Sequence, residues 1–455
     1  MLKIKNGKIV TSANVTRADI YIENGKIAQI GGEAPFDAEY DAGGCLIFAG
    51  FIDSHTHLGM DAGSTWTIDD WSSGTRAALA GGTTTVLDFA TQDRGSTLSR
   101  ALEVWHSRAD GNAFCDYGFH MAVTDWNERT RAEIEQMPAQ GVTSFKAYMA
   151  YDNLRLSDGE LRELLTATRD IGYVGVHCEL GDEVNRRVRE LLNAGKTGPG
   201  YHPLSRPNEV EAAAVRRLME LAGQADAPAW VVHLSTREGL EEIRKARRNG
   251  LDVLAETCPQ YLTLTDKVYI TEGFEAAKYV CSPPIRSLED QEALWNAVSG
   301  GEVDIISTDH CSFNYAGQKE LGLGNFSKIP NGLPGIEHRP ALIWDSGVNS
   351  GRITPCGMAR LLSENPAKAF GMWPRKGSLS VGADADLVIW DPEKQWTLSA
   401  ANQLMRADYS PWEGRRLKGQ ARAVFLRGRL SAESGGVTAP AGGMYVMRGV
   451  RKKSD

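Results

Sequence analysis

His55 and His57, in Gly50-Phe-Ile-Asp-Ser-His-Thr-His-Leu-Gly59, stand one residue apart at the end of an apolar run. Side chains alternate along a strand, so residues i and i+2 face the same side. Two imidazoles side by side at a strand end make half of a metal site. Comparable donors recur downstream: Lys146 in Ser144-Phe-Lys-Ala-Tyr-Met, His177 in Val176-His-Cys-Glu, His233 in Val232-His-Leu-Ser and Asp309 in Ser307-Thr-Asp-His. Four imidazoles and a carboxylate suit zinc or a similar borderline divalent ion. A metal pair would clamp a nucleophile and a leaving oxygen together. Each residue alone has a plainer reading. A single strand-end histidine is usually hydrogen-bonded core, a lysine there snorkels to solvent or pairs with a carboxylate, and Asp309 suits a helix cap. The plainer readings fail jointly if all these strand ends meet at one mouth. Among the other histidines, His106, His120, His202 and His338 read as structural, while His310 beside Asp309 is ambiguous.

The elements decide whether the ends meet. The chain interior alternates short apolar strands with charged helical stretches, the pattern of parallel βα units. Strands are expected at 51–57, 84–90, 116–123, 144–149, 173–178, 230–234, 251–255 and 304–308. Eight buried strands, most followed by a helix, predict an α/β fold built on a (β/α)8 TIM barrel, with chemistry at the C-terminal strand ends. The flanks read as short strands and tight turns. Asn6-Gly7 and Asn24-Gly25 each carry the hairpin signal, and further strands are expected at 385–390 and 421–426. The two ends should pair as a small β-sandwich, giving residues 1–48 and 373–455 to the sandwich and tail and residues 49–372 to the barrel.

Composition bounds the partners. A net charge of -8 over 455 residues argues against binding nucleic acid or an anionic membrane. No apolar run is long enough to span a bilayer, and the N-terminus has no signal-peptide core. Seven scattered cysteines without a Cys-x-x-Cys pair argue against a disulfide framework and for a reducing, cytoplasmic setting.

The ligand pattern, together with Gly81-Gly-Thr-Thr-Thr, Asp116-Tyr-Gly-Phe-His, Val142-Thr-Ser-Phe-Lys-Ala-Tyr-Met-Ala-Tyr151, Tyr201-His-Pro-Leu-Ser-Arg-Pro, Glu256-Thr-Cys-Pro-Gln-Tyr-Leu, Ala277-Lys-Tyr-Val-Cys-Ser-Pro-Pro284, Gly317-Gln-Lys-Glu-Leu-Gly, Pro330-Asn-Gly-Leu-Pro-Gly and Tyr409-Ser-Pro-Trp-Glu-Gly, resembles the hydantoinase/dihydropyrimidinase branch of the amidohydrolase superfamily over nearly the whole chain. The resemblance implies hydrolysis of the cyclic amide of hydantoins or dihydropyrimidines to N-carbamoyl amino acids. It implies two divalent metals, zinc first and manganese, cobalt or iron as alternatives, with Lys146 carboxylated by carbon dioxide to bridge them. His55, His57 and Asp309 would hold one metal and His177 and His233 the other. Tyr151, Ser282 and Asn331 would contact the substrate, Tyr151 at the developing oxyanion and the other two largely through backbone groups. Asp309 would also move the proton. A homotetramer is the family's usual assembly, and the tail from Gly442 to Arg451 suits either packing on a neighbouring subunit or fraying.

Substrate choice should lie on the loops at the barrel mouth. There the chain departs from its relatives at Gly59-Met-Asp-Ala-Gly-Ser64 and at Tyr148 and Arg155, so Ala62, Tyr148 and Arg155 are the candidate specificity positions. A polar gate favouring a small or anionic ring substituent is one reading, and an Arg155 that merely faces solvent is the other. Allantoinase and dihydroorotase share the metal plan, but the run from Gly59 to Thr65 lacks the arginine that would favour dihydroorotase. A mononuclear deaminase would not need Lys146. A non-catalytic dihydropyrimidinase-related scaffold would have lost ligands that this chain keeps.

Overall fold

The structure is a computed structural model that describes residues 1–451. Eight parallel strands lie side by side in chain order, from Phe51–Thr56 to Ile305–Ile306. Each expected barrel strand is present. The first three, Phe51–Thr56, Thr83–Thr91 and Asp116–Ala122, are buried along almost their whole length. Burial of both faces is what a parallel sheet under a layer of helices requires, and it explains why these segments read as apolar runs. Capping side chains start the helices at defined points, as where Ser157 and Glu160 form a capping box before Asp158–Thr168.

The barrel closes through side chains where its first and last strands meet. The backbone offers only an isolated bridge between Thr56 and His310. The Asp53 carboxylate accepts from the Thr308 N–H at 3.0 Å and the Thr308 hydroxyl at 2.7 Å. Fully buried Arg339 donates to the Ile52 carbonyl at 2.8 Å, the Ile306 carbonyl at 3.0 Å and Thr83 Oγ1 at 3.1 Å. Its guanidinium lies 3.7 Å from Asp53. The barrel is thus nearly closed by ladders and sealed by an ion pair.

Outside the barrel, a four-stranded sheet from the first 41 residues faces a seven-stranded sheet that draws on both chain ends. Leu46–Ala49 and Leu387–Thr397 are adjacent antiparallel strands of the larger sheet. Ile4, Ile20, Ile22, Ile47, Leu387, Ile389 and Phe425 form the core between the two layers. Asn24-Gly25 makes the expected hairpin, joining Ile20–Glu23 to Lys26–Ile30 with φ of 50° and 77° at its two central residues. Asn6-Gly7 does not. Leu2–Lys5 belongs to the smaller sheet and Lys8–Val10 to the larger, so this pair is the corner where the chain changes layer. A Cβ at Gly7 would sit 2.5 Å from Ile47 Cδ1, so packing demands the glycine here.

The tail through Arg451 is not frayed. Met444 and Val446 exchange backbone hydrogen bonds with Tyr117, and Gly449 donates to the Gly371 carbonyl. Arg448 is buried and donates to Ser144 Oγ at 2.7 Å and to the Phe119 carbonyl. The tail therefore packs on its own barrel, at the end where the strands begin. Nearby, buried Lys376 pairs with Asp116 of the barrel and with Asp384 and Asp386 of the sandwich, pinning the two parts together. All seven cysteines are free, and among the described residues no helix is long and apolar enough to cross a membrane.

Arg339→Met removes three hydrogen bonds and leaves Asp53 as an uncompensated buried charge. The expected loss is roughly 3–5 kcal/mol, read as a lower urea midpoint for unfolding.

Candidate metal centre

The strand ends do converge. His55, His57 and Asp309 offer ligand atoms that all lie within 4.8 Å of one another. His55 Nε2 and His57 Nε2 each stand 3.2 Å from the same oxygen, Asp309 Oδ1. On the opposite side, His177 Nδ1 faces His233 Nε2 at 3.0 Å. The His55 and His233 rings, 5.5 Å apart, join the two halves. Lys146 is 1% exposed, and its ammonium lies over the rings of Phe89 and Tyr148 at 5.0 and 5.4 Å. It forms no ion pair among the described residues, and burial pushes its pKa down to about 8.

For His55 and His177, second partners fix which nitrogen the ring presents. His55 Nδ1 bonds Glu256 Oε1 at 2.8 Å, leaving Nε2 for the site. His177 Nε2 bonds Glu179 Oε2 at 2.7 Å, leaving Nδ1. Arg206 in turn ion-pairs with Glu179; although burial would raise that carboxyl, Arg206 and His177 bring it down to about 2. Such outer carboxylates set ring orientation and raise ligand basicity in metal sites. Burial holds the pKa of His177 below and that of His233 well below the usual imidazole value, so both rings are neutral and carry a free lone pair. Burial would likewise raise Asp309, but His55 and His57 hold it well below the ordinary carboxylate range.

The backbone is unusual at the same places. Tyr151, His233 and Asp309 adopt left-handed conformations with φ of 68°, 39° and 51°. Non-glycine residues accept that strain where surrounding structure imposes it, often at functional sites. The donor set fits metal ions: His55 Nε2 and His233 Nδ1 are buried without a hydrogen-bond partner, and His177 Nδ1 and His233 Nε2 can share at most one proton between them.

Beside the ligands, the Tyr151 ring lies 5.1 Å from that of His177. Burial raises its phenol to about 12, against the opposing charge of Arg206. Ser282 Oγ and Asn331 Oδ1 are buried polar atoms without partners. Of the specificity candidates, Tyr148 lies 6.4 Å from the His177 ring. Ala62 is exposed in the turn after the first strand, where its N–H bonds the Thr65 carbonyl. Arg155 pairs with Asp152 at 3.0 Å and Asp182 at 2.7 Å, within an open cavity of about 960 Å³ whose lining includes none of the six ligand candidates. His120 bonds Ser144 Oγ and the Ser54 carbonyl, and His202 bonds the Cys281 carbonyl, both structural arrangements. His310 is structural too: its Nε2 lies 3.2 Å from Asp69, and its Nδ1 accepts from the Gly335 and Ile336 N–H groups. Sequence reasoning passed over Glu256 and Glu179. The signal was present, since each closes a strand-end motif two residues or fewer from a ligand or in a family segment, but only geometry links Glu256 to His55 across 201 residues.

Comparison with known proteins identifies the family. The profile of the Amidohydrolase family matches residues 46–430. A D-hydantoinase of Geobacillus stearothermophilus is 44% identical over 451 residues, covering 98% of this chain and 96% of that protein. A D-phenylhydantoinase of Escherichia coli is 40% identical over 453 residues, covering 98% and 97%. The crystal structure of dihydropyrimidinase from Brevibacillus agri superposes with a TM-score of 0.98 at 40% identity, covering 99% of each chain.

Glu256→Gln keeps the shape of the His55 partner but removes its charge. Metal affinity, measured by competition with a chelator, should weaken by about 10- to 100-fold while the fold survives.

Proposed function

The chain belongs to the hydantoinase/dihydropyrimidinase branch of the amidohydrolase family and is a cyclic amidohydrolase of that type; from that premise we propose how its residues open the ring. The observation that carries the reading is the buried convergence of His55, His57 and Asp309 opposite His177 and His233, with unpaired Lys146 between apolar rings. His55, His57 and Asp309 would hold one divalent ion, and His177 and His233 a second. Lys146 would ligate both as a carbamate. Carbon dioxide reacts with a neutral amine, and a lysine lowered to about 8 offers that form near neutral pH far more readily than an exposed one. Nitrogen and oxygen donors of this kind suit zinc, and also accept manganese, cobalt or iron.

When bound, such metals lower the pKa of water and polarise a carbonyl oxygen. The chain's own groups do the rest. Asp309 accepts the proton of the attacking water and returns it to the ring nitrogen as the C–N bond breaks. Tyr151, protonated at neutral pH because its phenol is raised to about 12, donates a hydrogen bond to the carbonyl oxygen as that oxygen gains charge. Ser282 and Asn331 hold the cyclic ureide edge-on, and the opened product is an N-carbamoyl amino acid. The names of the relatives point to D-hydantoins, a phenylhydantoin among them, and to dihydropyrimidines as substrates. Ala62, Tyr148 and Arg155 are the positions that would tune the ring substituent. If Arg155 attracts an anionic substituent, Arg155→Ala lowers the preference for a carboxyalkyl-hydantoin over phenylhydantoin. An unchanged ratio assigns its charge to Asp152 and Asp182 alone.

Metal content and hydrolysis of hydantoin and dihydrouracil, compared in the native chain and Lys146→Ala, test the reading. About two metals per native chain, with metal and activity both lost in the variant, is the expected result. Two bound metals in Lys146→Ala would remove Lys146 from the ligand set. Tyr151→Phe should lower kcat by about 10²- to 10³-fold at nearly constant metal content. With so high a phenol pKa, activity of the native chain should show no inflection from Tyr151 below pH 11.

A further inference from the structure

Lys319, in Gly317-Gln-Lys-Glu-Leu-Gly, has no part in the chemistry above, yet it is completely buried. Its ammonium donates to the carbonyls of Val280 at 2.8 Å, Pro330 at 2.7 Å and Gly332 at 2.8 Å. An ammonium has three protons and accepts nothing, so these acceptors saturate it. Among the described residues it has no carboxylate partner; besides the three carbonyls, its ammonium lies 5.7 Å from the Phe313 ring centre, and burial pushes its pKa down to about 7. A buried cation without a counter-ion is costly. The geometry it supports must repay that cost, and no other side chain presents three diverging N–H bonds from one atom.

The acceptors identify what is being held. Val280 stands two residues before Ser282, and Pro330 and Gly332 flank Asn331. The Gly332 N–H also bonds the Val280 carbonyl at 3.1 Å, so the two segments form one platform. The platform is pressed against the loop after Asp309, where a Cβ at Gly332 would come within 2.3 Å of the Cys311 carbonyl oxygen. The neighbouring residue reaches the opposite way. Gln318 Nε2 donates to Thr65 Oγ1 at 2.8 Å and to the Trp66 carbonyl at 2.7 Å, in the loop that follows His55 and His57.

We propose that Lys319 is a positioning residue for substrate: its ammonium sets the backbone of Val280–Ser282 and Pro330–Gly332 against the ring, while Gln318 fastens the same peptide to the loop over the mouth. This rests on the assignment of Ser282 and Asn331 as substrate contacts. Ring binding and the placement of the 60–67 loop are then coupled through one dipeptide.

The test uses the metal-loaded full chain with Lys319→Met, which keeps length without donors, and Lys319→Gln, which keeps a single amide. Metal content and thermal unfolding are followed beside KM and kcat for hydantoin. Lys319→Met should raise KM by about tenfold or more with kcat within about threefold and metal content unchanged, and Lys319→Gln should fall between. Hydrogen exchange supplies a readout independent of turnover. In the native chain N-carbamoylglycine should slow exchange at 280–284 and 329–333, and Lys319→Met should exchange faster there and lose that protection. Native protection that persists in both variants with unchanged KM overturns the role of Lys319 and leaves Ser282 and Asn331 in place. Loss of metal and of unfolding temperature in both variants makes Lys319 a general structural residue and overturns the proposal as well. No protection in the native chain removes the substrate assignment, and the proposal with it.

Discussion

Imidazole nitrogens gathered around one carboxylate are the constraint on which this structure turns. His177 Nδ1 and His233 Nε2 meet at 3.0 Å, and two more imidazoles crowd a single oxygen of Asp309. A cation among these donors would engage them all at once, and the chain holds them together with outside support. Glu256 and the Glu179–Arg206 pair turn the rings. Left-handed backbone at His233 and Asp309 aims the side chains inward from strand ends. The strain and the buried acids are all explained by the same demand for converging donors.

Burial does opposite work on two neighbouring groups, and both outcomes serve the site. It lowers the Lys146 ammonium to about 8, which makes a neutral amine accessible. It raises the Tyr151 phenol to about 12, which keeps a proton available for donation. One low-dielectric pocket thereby favours the neutral form of both an amine and a phenol, because desolvation disfavours whichever form is charged; on the proposed mechanism the amine would become an anionic ligand and the phenol a hydrogen-bond donor.

Much of this was legible before any coordinates. The eight strands could be read because parallel strands are buried on both faces and leave apolar runs. His55, His57, Lys146, His177, His233 and Asp309 could be read because each polar residue interrupts such a run at its C-terminal end. What escaped was long-range. Asp53 and Arg339 are unremarkable charges in sequence, and their meeting across the seam depends on the barrel having closed. Nothing in the local sequence around Lys319 shows the three carbonyls it holds, because they come from two other segments that the fold brings to it. Asn6-Gly7 misleads for the converse reason: its local signal is a hairpin, but the flanking strands join different sheets, and the glycine is needed where the chain passes against Ile47. The tail was read by composition, which cannot show that Tyr117 offers it a backbone edge.

The seam also sets an order of events on the ribosome. Asp53 and Thr308 are 255 residues apart, and Arg339 is made later still. The nascent chain carries His55 and His57 from early in synthesis, yet their carboxylate partner and the guanidinium that locks the barrel arrive only when most of the chain exists. Until then the first strand has an open edge, the kind of surface that other strands recruit. If the proposed ligands hold a metal, the full set exists only after translation has passed the last barrel strand, when Asp309 has been made.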